Sequence, residues 1–453
     1  MDNQIISGST VLNNLPPKIE KPLISFPGKS IADENGFQIN EGILSKHVLL
    51  LGGSGCGKTN TFLYAIRDIR DRMSDKDVMI VFDTKGEFYD EFHQQGDYVI
   101  GNSRRFRDIS ATWNIFDEIL ADGWDNSSVS MNAREMASAL FHGRGSSSQP
   151  FFCNAARDIF RGVLQYFVRQ AEQKPELWEK RLNNKDLINI LRRFTINNYK
   201  RAFSSYSDLH NLITYFGDGE SNQALGVFGE LNSMLQEYFV GIFEEYNPRK
   251  SISMRNAVRN RGGRALFVEY DLSVGETLTP IYRMLIDQAL KEALGRNSAQ
   301  GNVYLIADEF KLLPKLQHID DALNFGRGLG VRVFAGIQSI DQLYDIYGRE
   351  KGAVIASGFG SIFAFHTNDN SSRDYITKRF GENIVISEYL NTYKNTMVSQ
   401  ERQGHTVEDW DQTSLGVGQA VIGLGDELPF LFQFDEYQTK REPKCLKTGS
   451  MQN

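Results

Sequence analysis

Residues 48–60 read Val-Leu-Leu-Leu-Gly-Gly-Ser-Gly-Cys-Gly-Lys-Thr-Asn, and the punctuation of that run decides the fold. Val48 to Leu51 is a short apolar run of the kind that forms a buried strand of a parallel sheet. It leads into Gly52, Gly53, Ser54, Gly55, Cys56, Gly57, Lys58 and Thr59, which fit G-x-x-x-x-G-K-[ST] at every fixed position. The glycines let backbone N–H groups curl round a phosphate without side-chain clash. A helix is expected from about Thr59 to Met73, on the spacing of Phe62, Ile66 and Ile69. Its N-terminal dipole would face the same anion. With Asn60, this stretch is the candidate nucleotide-binding segment. Lys58 would reach the β- and γ-phosphates of ATP, and the Thr59 hydroxyl would hold Mg²⁺.

Further strands follow from further apolar runs. Val78 to Phe82 ends in Asp83-Thr84-Lys85-Gly86-Glu87, polar residues that fall at the ligand edge of a parallel sheet. Val303 to Ala307 ends in Asp308-Glu309. Asp308 would act on Mg²⁺, directly or through its water, and Glu309 would polarise the attacking water. A helix is expected from about Leu316 to Leu329, stopped by Gly328 and Gly330. The next strand, Val331 to Ile337, then puts Gln338 on the same edge as Glu309. Gln338 would sense the γ-phosphate or orient water, or is a plain strand-end amide. Arg327 lies at the other end of that unit. It would act on a neighbour's nucleotide in a ring of subunits, or is a helix-terminal arginine favoured by the dipole. Strands at 361–365, 419–424 and 429–434 complete the core. A polar tail over 437–453 is expected to be disordered.

The bulk properties agree with a globular chain. Its 453 residues suffice for two or three domains of ~100–200 residues, and 41% are hydrophobic. No apolar stretch approaches transmembrane length, and the first residues lack a secretory signal. Three cysteines, one of them in the phosphate loop, form no disulfide framework, so a reducing cytoplasm is expected. Residues 1–42 read as an extended arm with short strands. The core then divides into 43–129 and 256–435 around a helical block at 130–255, where Phe152, Ala156, Ile159, Phe160, Val163 and Phe167 mark one long helix, preceded by a flexible loop at 143–148.

The net charge of −7 neither advertises nor excludes nucleic acid, because local patches decide that question. A basic stretch at 181–201 holds Arg192, Arg193, Lys200 and Arg201, with Phe194 and Tyr199 among them. These residues would bind DNA phosphates and stack on bases, or form a solvated helix with core aromatics. A second cluster, Arg249 to Arg264, would bind phosphate in a channel or pair with acids across subunits. Arg104, Arg105 and Arg107 form a third, weaker patch. The histidines show no zinc spacing.

Together these segments resemble the type IV secretion coupling proteins of the TraD/TraG type, within the FtsK/HerA class of hexameric ATPases. Asp83-Thr84-Lys85-Gly86-Glu87 is similar to the family's D-x-K-G-E. Trp113-Asn114-Ile115-Phe116 is similar to W-N-P-F, with Ile115 for proline. Asp308-Glu309-Phe310-Lys311-Leu312-Leu313 is similar to D-E-F-x-x-L, and 324–343 matches in spacing. The resemblance implies an α/β fold, a RecA-like P-loop core with a mainly parallel sheet and an all-α insert. It implies a homo-hexamer that couples ATP hydrolysis to transport of DNA or nucleoprotein, with a secretion-channel or relaxase-like partner. The family's N-terminal transmembrane pair is missing, so no direct membrane insertion is expected, and any inner-membrane contact would run through a partner. The competing readings are a nucleotide-switched receptor for protein cargo and the motor of a DNA-processing or defence complex.

Overall fold

The apolar run Val48–Leu51 lies inside a ten-stranded sheet in the computed structural model, which describes residues 4–144, 150–217, 219, 221–295, 301–391, 396–425 and 427–439. Across the sheet the strands are Gly28–Lys29, Phe430–Phe434, Gln419–Leu424, Ser361–Phe365, Val48–Leu51, Val331–Ile337, Val303–Ala307, Val78–Asp83, Arg264–Glu269 and Tyr98–Gly101. From Ser361–Phe365 to Tyr98–Gly101 every pairing is parallel. The remaining three strands add antiparallel at one side. The register aligns Leu51 with Ile337, and Ala335 and Phe82 with Ala307, so the chain leaves these strands at one common edge.

Both faces of the sheet are covered, which is why its central strands are apolar throughout rather than alternating. One face carries Leu50, Val81, Phe267, Ile306, Phe334 and Phe363, against which the helix Lys58–Arg72 sets Phe62, Ala65 and Ile66. Phe62 meets Phe334 edge to face with centroids 5.1 Å apart. The short strands Ile24–Phe26 and Phe37–Ile39 of the N-terminal segment pack into this layer, with Phe26 and Phe37 both buried. The other face carries Leu49, Ile80, Leu266, Leu305 and Val333, and its apolar cluster runs without a break into the helical residues that follow Asn126.

The chain enters and leaves that helical block at one neck. Thr112–Trp113 pairs in parallel with Ser251–Ile252. Asn184, fully buried inside the block, accepts from the Ile115 N–H and donates to the carbonyls of Trp113 and Phe243. Glu118, also fully buried, accepts from Trp113 Nε1, Ser253 Oγ, and the N–H groups of Met254 and Arg255. Burial pushes the Glu118 carboxyl up, and these four donors oppose that shift. The W-N segment is therefore a structural tie: Trp113 is buried, and Asn114 caps the helix Ile115–Ile119.

Several expectations change. The helix expected over 316–329 is two short helices, Ile319–Asn324 and Gly326–Leu329, interrupted at Phe325. Two glycines in the second piece weaken it, and Gly326 lies so close to Val331 that a Cβ there would meet it at 2.8 Å. The tail does not begin at Tyr437. That residue is buried against Tyr64 and Phe92, and its N–H donates to Asn60 Oδ1. Residues 440–453 of the expected tail, and 145–148 of the expected flexible loop, lie outside the described residues. Gln4–Gly8 joins a separate three-stranded sheet with Glu382–Asn391 and Thr396–His405.

Candidate functional site

The loop 52–57 leaves the Val48–Leu51 strand and opens the helix at Lys58. Its glycines answer to specific crowding. Gly57 has φ +111°, and a Cβ on it would meet Gly418 Cα at 3.0 Å. At Gly52 a Cβ would sit 2.6 Å from Phe365 Cβ. Gly53 N donates to His366 O, and Gly418 N donates to Cys56 O, which fixes the loop between its neighbours. Ser54 and Gly55 form its exposed crest. Burial pushes the Cys56 thiol up, so it serves as an apolar filler rather than a thiolate. Lys58 is buried, and its Nζ donates to the carbonyls of Gly52 and Gly53 at 2.6 and 2.8 Å.

The structure brings the second motif against the first. Thr59 Oγ1 donates to Asp308 Oδ2 at 2.9 Å, across 249 residues of sequence. Burial pushes the Asp308 carboxyl up to about 6, against the Thr59 hydrogen bond and the Lys58 charge. A hydroxyl beside a carboxylate at a phosphate loop is the oxygen donor set that Mg²⁺ uses together with substrate phosphates, so Thr59 and Asp308 fit that ion. Gln338 Nε2 donates to Glu309 Oε2 at 2.9 Å. Glu309 Oε1 is buried and takes no hydrogen bond, although the Lys311 ammonium lies 3.5 Å away. One oxygen of Glu309 is thus fixed, and the other is a buried acceptor with no donor on it. The Gln338 backbone N–H donates to Gln342 Oε1, which orients the strand end.

Arg327 lies at the opposite edge of the sheet, just before the Val331–Ile337 strand. It is exposed, and its guanidinium has no partner among the described residues. Asn60 lies in the first turn of the loop helix, but its amide is engaged elsewhere. Nδ2 donates to Asp435 O and Oδ1 accepts from Tyr437 N, leaving its backbone N–H as the group able to meet a phosphate.

The predicted basic residues divide. Arg192 is paired with Glu244, and Lys200 donates to the Gly217 carbonyl. Arg193 and Arg201 have no such partner for their side chains among the described residues. Tyr199 is fully buried and belongs to the core, closed to stacking on bases, while Phe194 is half-buried and packs edge to face on it. In the second cluster, Arg255 and Arg259 pair with Asp122 and Glu292 of the same chain rather than across subunits.

Two features had little or no sequence signal. The loop Gly416-Val417-Gly418 leans on the phosphate loop, and Val417 is exposed at its rim. A G-x-G after a short helix is too weak a pattern to have found it. Glu269 lies in register with Asp83 on the neighbouring strand. Burial, with the Asp83 charge beside it, pushes Glu269 up to about 9, so it stands protonated at neutral pH.

Comparison with known proteins bears on this geometry. A family model described as the type IV secretion-system coupling protein DNA-binding domain matches residues 35–413. Coupling protein TraD of Escherichia coli (strain K12) is 22% identical over 391 residues, covering 84% of this chain and 50% of that protein. Conjugal transfer protein TraG of Agrobacterium fabrum (strain C58 / ATCC 33970) is 29% identical over 132 residues, covering 29% of this chain and 20% of that protein. The chain thus spans half or less of the length of these relatives. Among solved structures, the conjugative coupling protein TrwBdeltaN70 in its unbound monoclinic form aligns with a TM-score of 0.73 at 18% identity, covering 94% of this chain and 92% of that one. TrwB in complex with ADP and Mg²⁺ aligns at 0.70 and 19% identity, covering 90% and 89%. At these identities the likeness is one of fold. No helix among the described residues is long and apolar enough to cross a membrane.

Proposed function

We propose that this chain, which belongs to the family of type IV secretion-system coupling proteins, is an ATPase that works in a ring and couples hydrolysis to the movement of DNA or nucleoprotein. The observation that carries the reading is the convergence of Lys58, Thr59, Asp308, Glu309 and Gln338 on one sheet edge, with Thr59 and Asp308 in direct contact. The names of the relatives, a coupling protein and a conjugal transfer protein, support the coupling role. The solved complex of TrwB with ADP and Mg²⁺ supports the choice of ligands.

The chemistry follows from the side chains. Backbone N–H groups of 54–59 receive the phosphates, and Lys58 transfers its two hydrogen bonds from loop carbonyls to phosphate oxygens. Mg²⁺ held by Thr59 and Asp308 would offset the charge that builds on the phosphates. Glu309, steadied by Gln338, orients a water and takes its proton as the water oxygen bonds to the γ-phosphorus and the bond to the β-phosphate oxygen breaks. Arg327 lies at the wrong edge to help its own subunit. It supplies positive charge to a neighbour's nucleotide, which makes the ring part of the active site. The helical block between about 130 and 255 handles the substrate. On this reading the chain works in the cytoplasm and meets the inner membrane through a partner protein.

The test is ATP turnover of the purified protein beside Lys58→Ala and Glu309→Gln. Lys58→Ala should abolish turnover together with tight ATP binding. Glu309→Gln should bind ATP normally and fail to hydrolyse it. Turnover that survives in both variants would remove this site from the reaction.

A further inference from the structure

Three basic segments far apart in sequence meet at one rim of the molecule. The loop 102–111 leaves the Tyr98–Gly101 strand at the same sheet edge as the phosphate loop, at the far side of the sheet. The segment that returns from the helical block is bound to this loop. Thr112 N donates to Lys250 O at 2.9 Å, Asn247 N donates to Thr112 Oγ1 at 3.1 Å, and Lys250 Nζ donates to the Asp108 carbonyl at 3.3 Å. The end of the helix Asn184–Leu191 is tied to the same region, because Arg192 Nη2 donates to Glu244 Oε2 at 3.0 Å.

On this rim Arg104, Arg107, Arg193, Arg249 and Lys250 are exposed, and none has an ion-pairing carboxylate among the described residues. Elsewhere arginines do find acids, Arg169 pairing with Asp208 and Arg373 with Asp409, and in the rim loop itself Arg105 pairs with Asp90. The acids within these segments are Asp108, Glu244 and Glu245, with Asp90 reaching in from a neighbouring helix; Arg192 occupies Glu244 and Arg105 occupies Asp90. A chain of net charge −7 has acids to spare, so this local surplus of cations is a feature of the surface rather than of the composition.

We propose that this rim is a phosphate-contacting surface for DNA, with Arg104, Arg193 and Arg249 as its free contacts. The proposal rests on the reading of the chain as a DNA-coupled ATPase. It shifts the contact away from Lys200 and Arg192, whose side chains are already bonded. The guanidinium fork suits phosphate oxygens. An acidic protein is the poorer fit, because a protein interface needs an apolar centre and Ile109 is the one large apolar side chain exposed in these three segments. Tyr199 is buried beneath one of them and offers no stacking face, so the contacts proposed are to the phosphate backbone.

The experiment compares the full chain with the triple variant Arg104→Ala, Arg193→Ala, Arg249→Ala. A control triple, Lys18→Ala, Lys21→Ala, Lys29→Ala, removes equal charge from the N-terminal segment. Binding to labelled single- and double-stranded DNA is followed across a salt series. Each lost phosphate contact lowers the slope of log K against log salt by about 0.9 on duplex or about 0.7 on single strands. The arginine triple should therefore lose about 2 to 3 from the slope. Its Kd should rise at least about tenfold near 0.1 M salt, while the control triple matches the parent and ATP turnover without DNA is unchanged. A parent that binds DNA equally well with or without the three arginines would overturn the rim and leave the ATPase reading standing. A parent that binds no DNA would overturn both the rim and the DNA-coupled reading. Poly-glutamate competing as well as DNA of equal charge would overturn nucleic acid as the partner.

Discussion

Replacing Glu118 by Ala should unfasten the neck between the sheet and the helical block. The carboxylate is fully buried and takes hydrogen bonds from Trp113 Nε1 at 3.0 Å, Ser253 Oγ at 2.8 Å, Met254 N at 2.6 Å and Arg255 N at 3.2 Å. Truncation removes the acceptor and leaves four donors behind. Each buried unsatisfied donor costs about 1–3 kcal/mol. Part of that is returned, because the variant no longer buries a charge and water can enter the space that the side chain leaves. Breaking one side of a buried charged network costs about 3–5 kcal/mol overall, and that is the expected loss here. Against a typical total of about 5–15 kcal/mol, the effect is large. Urea unfolding followed by Trp fluorescence and by far-UV dichroism would measure it, with Ser253→Ala, which removes one donor to Glu118 and the cap on Asn256 N, expected to lose about 2 kcal/mol. A Glu118→Ala midpoint within about 1 kcal/mol of the parent would refute the view that this carboxylate ties the two segments together.

Acid should act through His47. It is buried, its Nδ1 accepts from Val333 N, and burial pushes it down to about 4 from 6.5. Its folded value lies below the unfolded one, so its contribution is present above pH 6.5 and is lost as pH falls towards 4. The full loss is about 3 kcal/mol, read as a falling urea midpoint that His47→Asn should flatten, while a pH profile identical in both proteins would count against it. Gln338→Ala should lower kcat about tenfold or more with KM little changed, because one charge-assisted hydrogen bond to Glu309 is lost; an unchanged kcat would return Gln338 to the role of a strand-end amide. Arg327→Ala should reduce turnover by about 10³-fold or more while ATP binding stays intact. Loss of binding instead would sink its action across subunits.

The legible parts of the molecule were those with short-range signals. Contiguous apolar runs such as Val78–Phe82 and Val303–Ala307 could be buried only as central strands, and the G-x-x-x-x-G-K-T run admits few backbone shapes. The meeting of Thr59 with Asp308 follows from the two motifs together, and the structure has them in contact. What escaped depends on partners far away in the chain. Nothing near Arg255 or Arg259 announces Asp122 as an acceptor, yet that pairing separates these arginines from those left without acids. Tyr437 looks like the start of a tail because its neighbours are polar, and one aromatic anchor against Tyr64 has no periodicity to reveal it. Gly328 and Gly330 read as the end of one helix, but it breaks earlier, at Phe325, where Gly326 must let Val331 approach.

The most direct test of the account is ATP turnover with and without single- and double-stranded DNA at two salt concentrations, beside Lys58→Ala. The account predicts stimulation by DNA that fades as salt rises and is absent from the variant. Turnover indifferent to DNA at both salt concentrations would contradict a DNA-coupled motor and point to a nucleotide switch that handles protein.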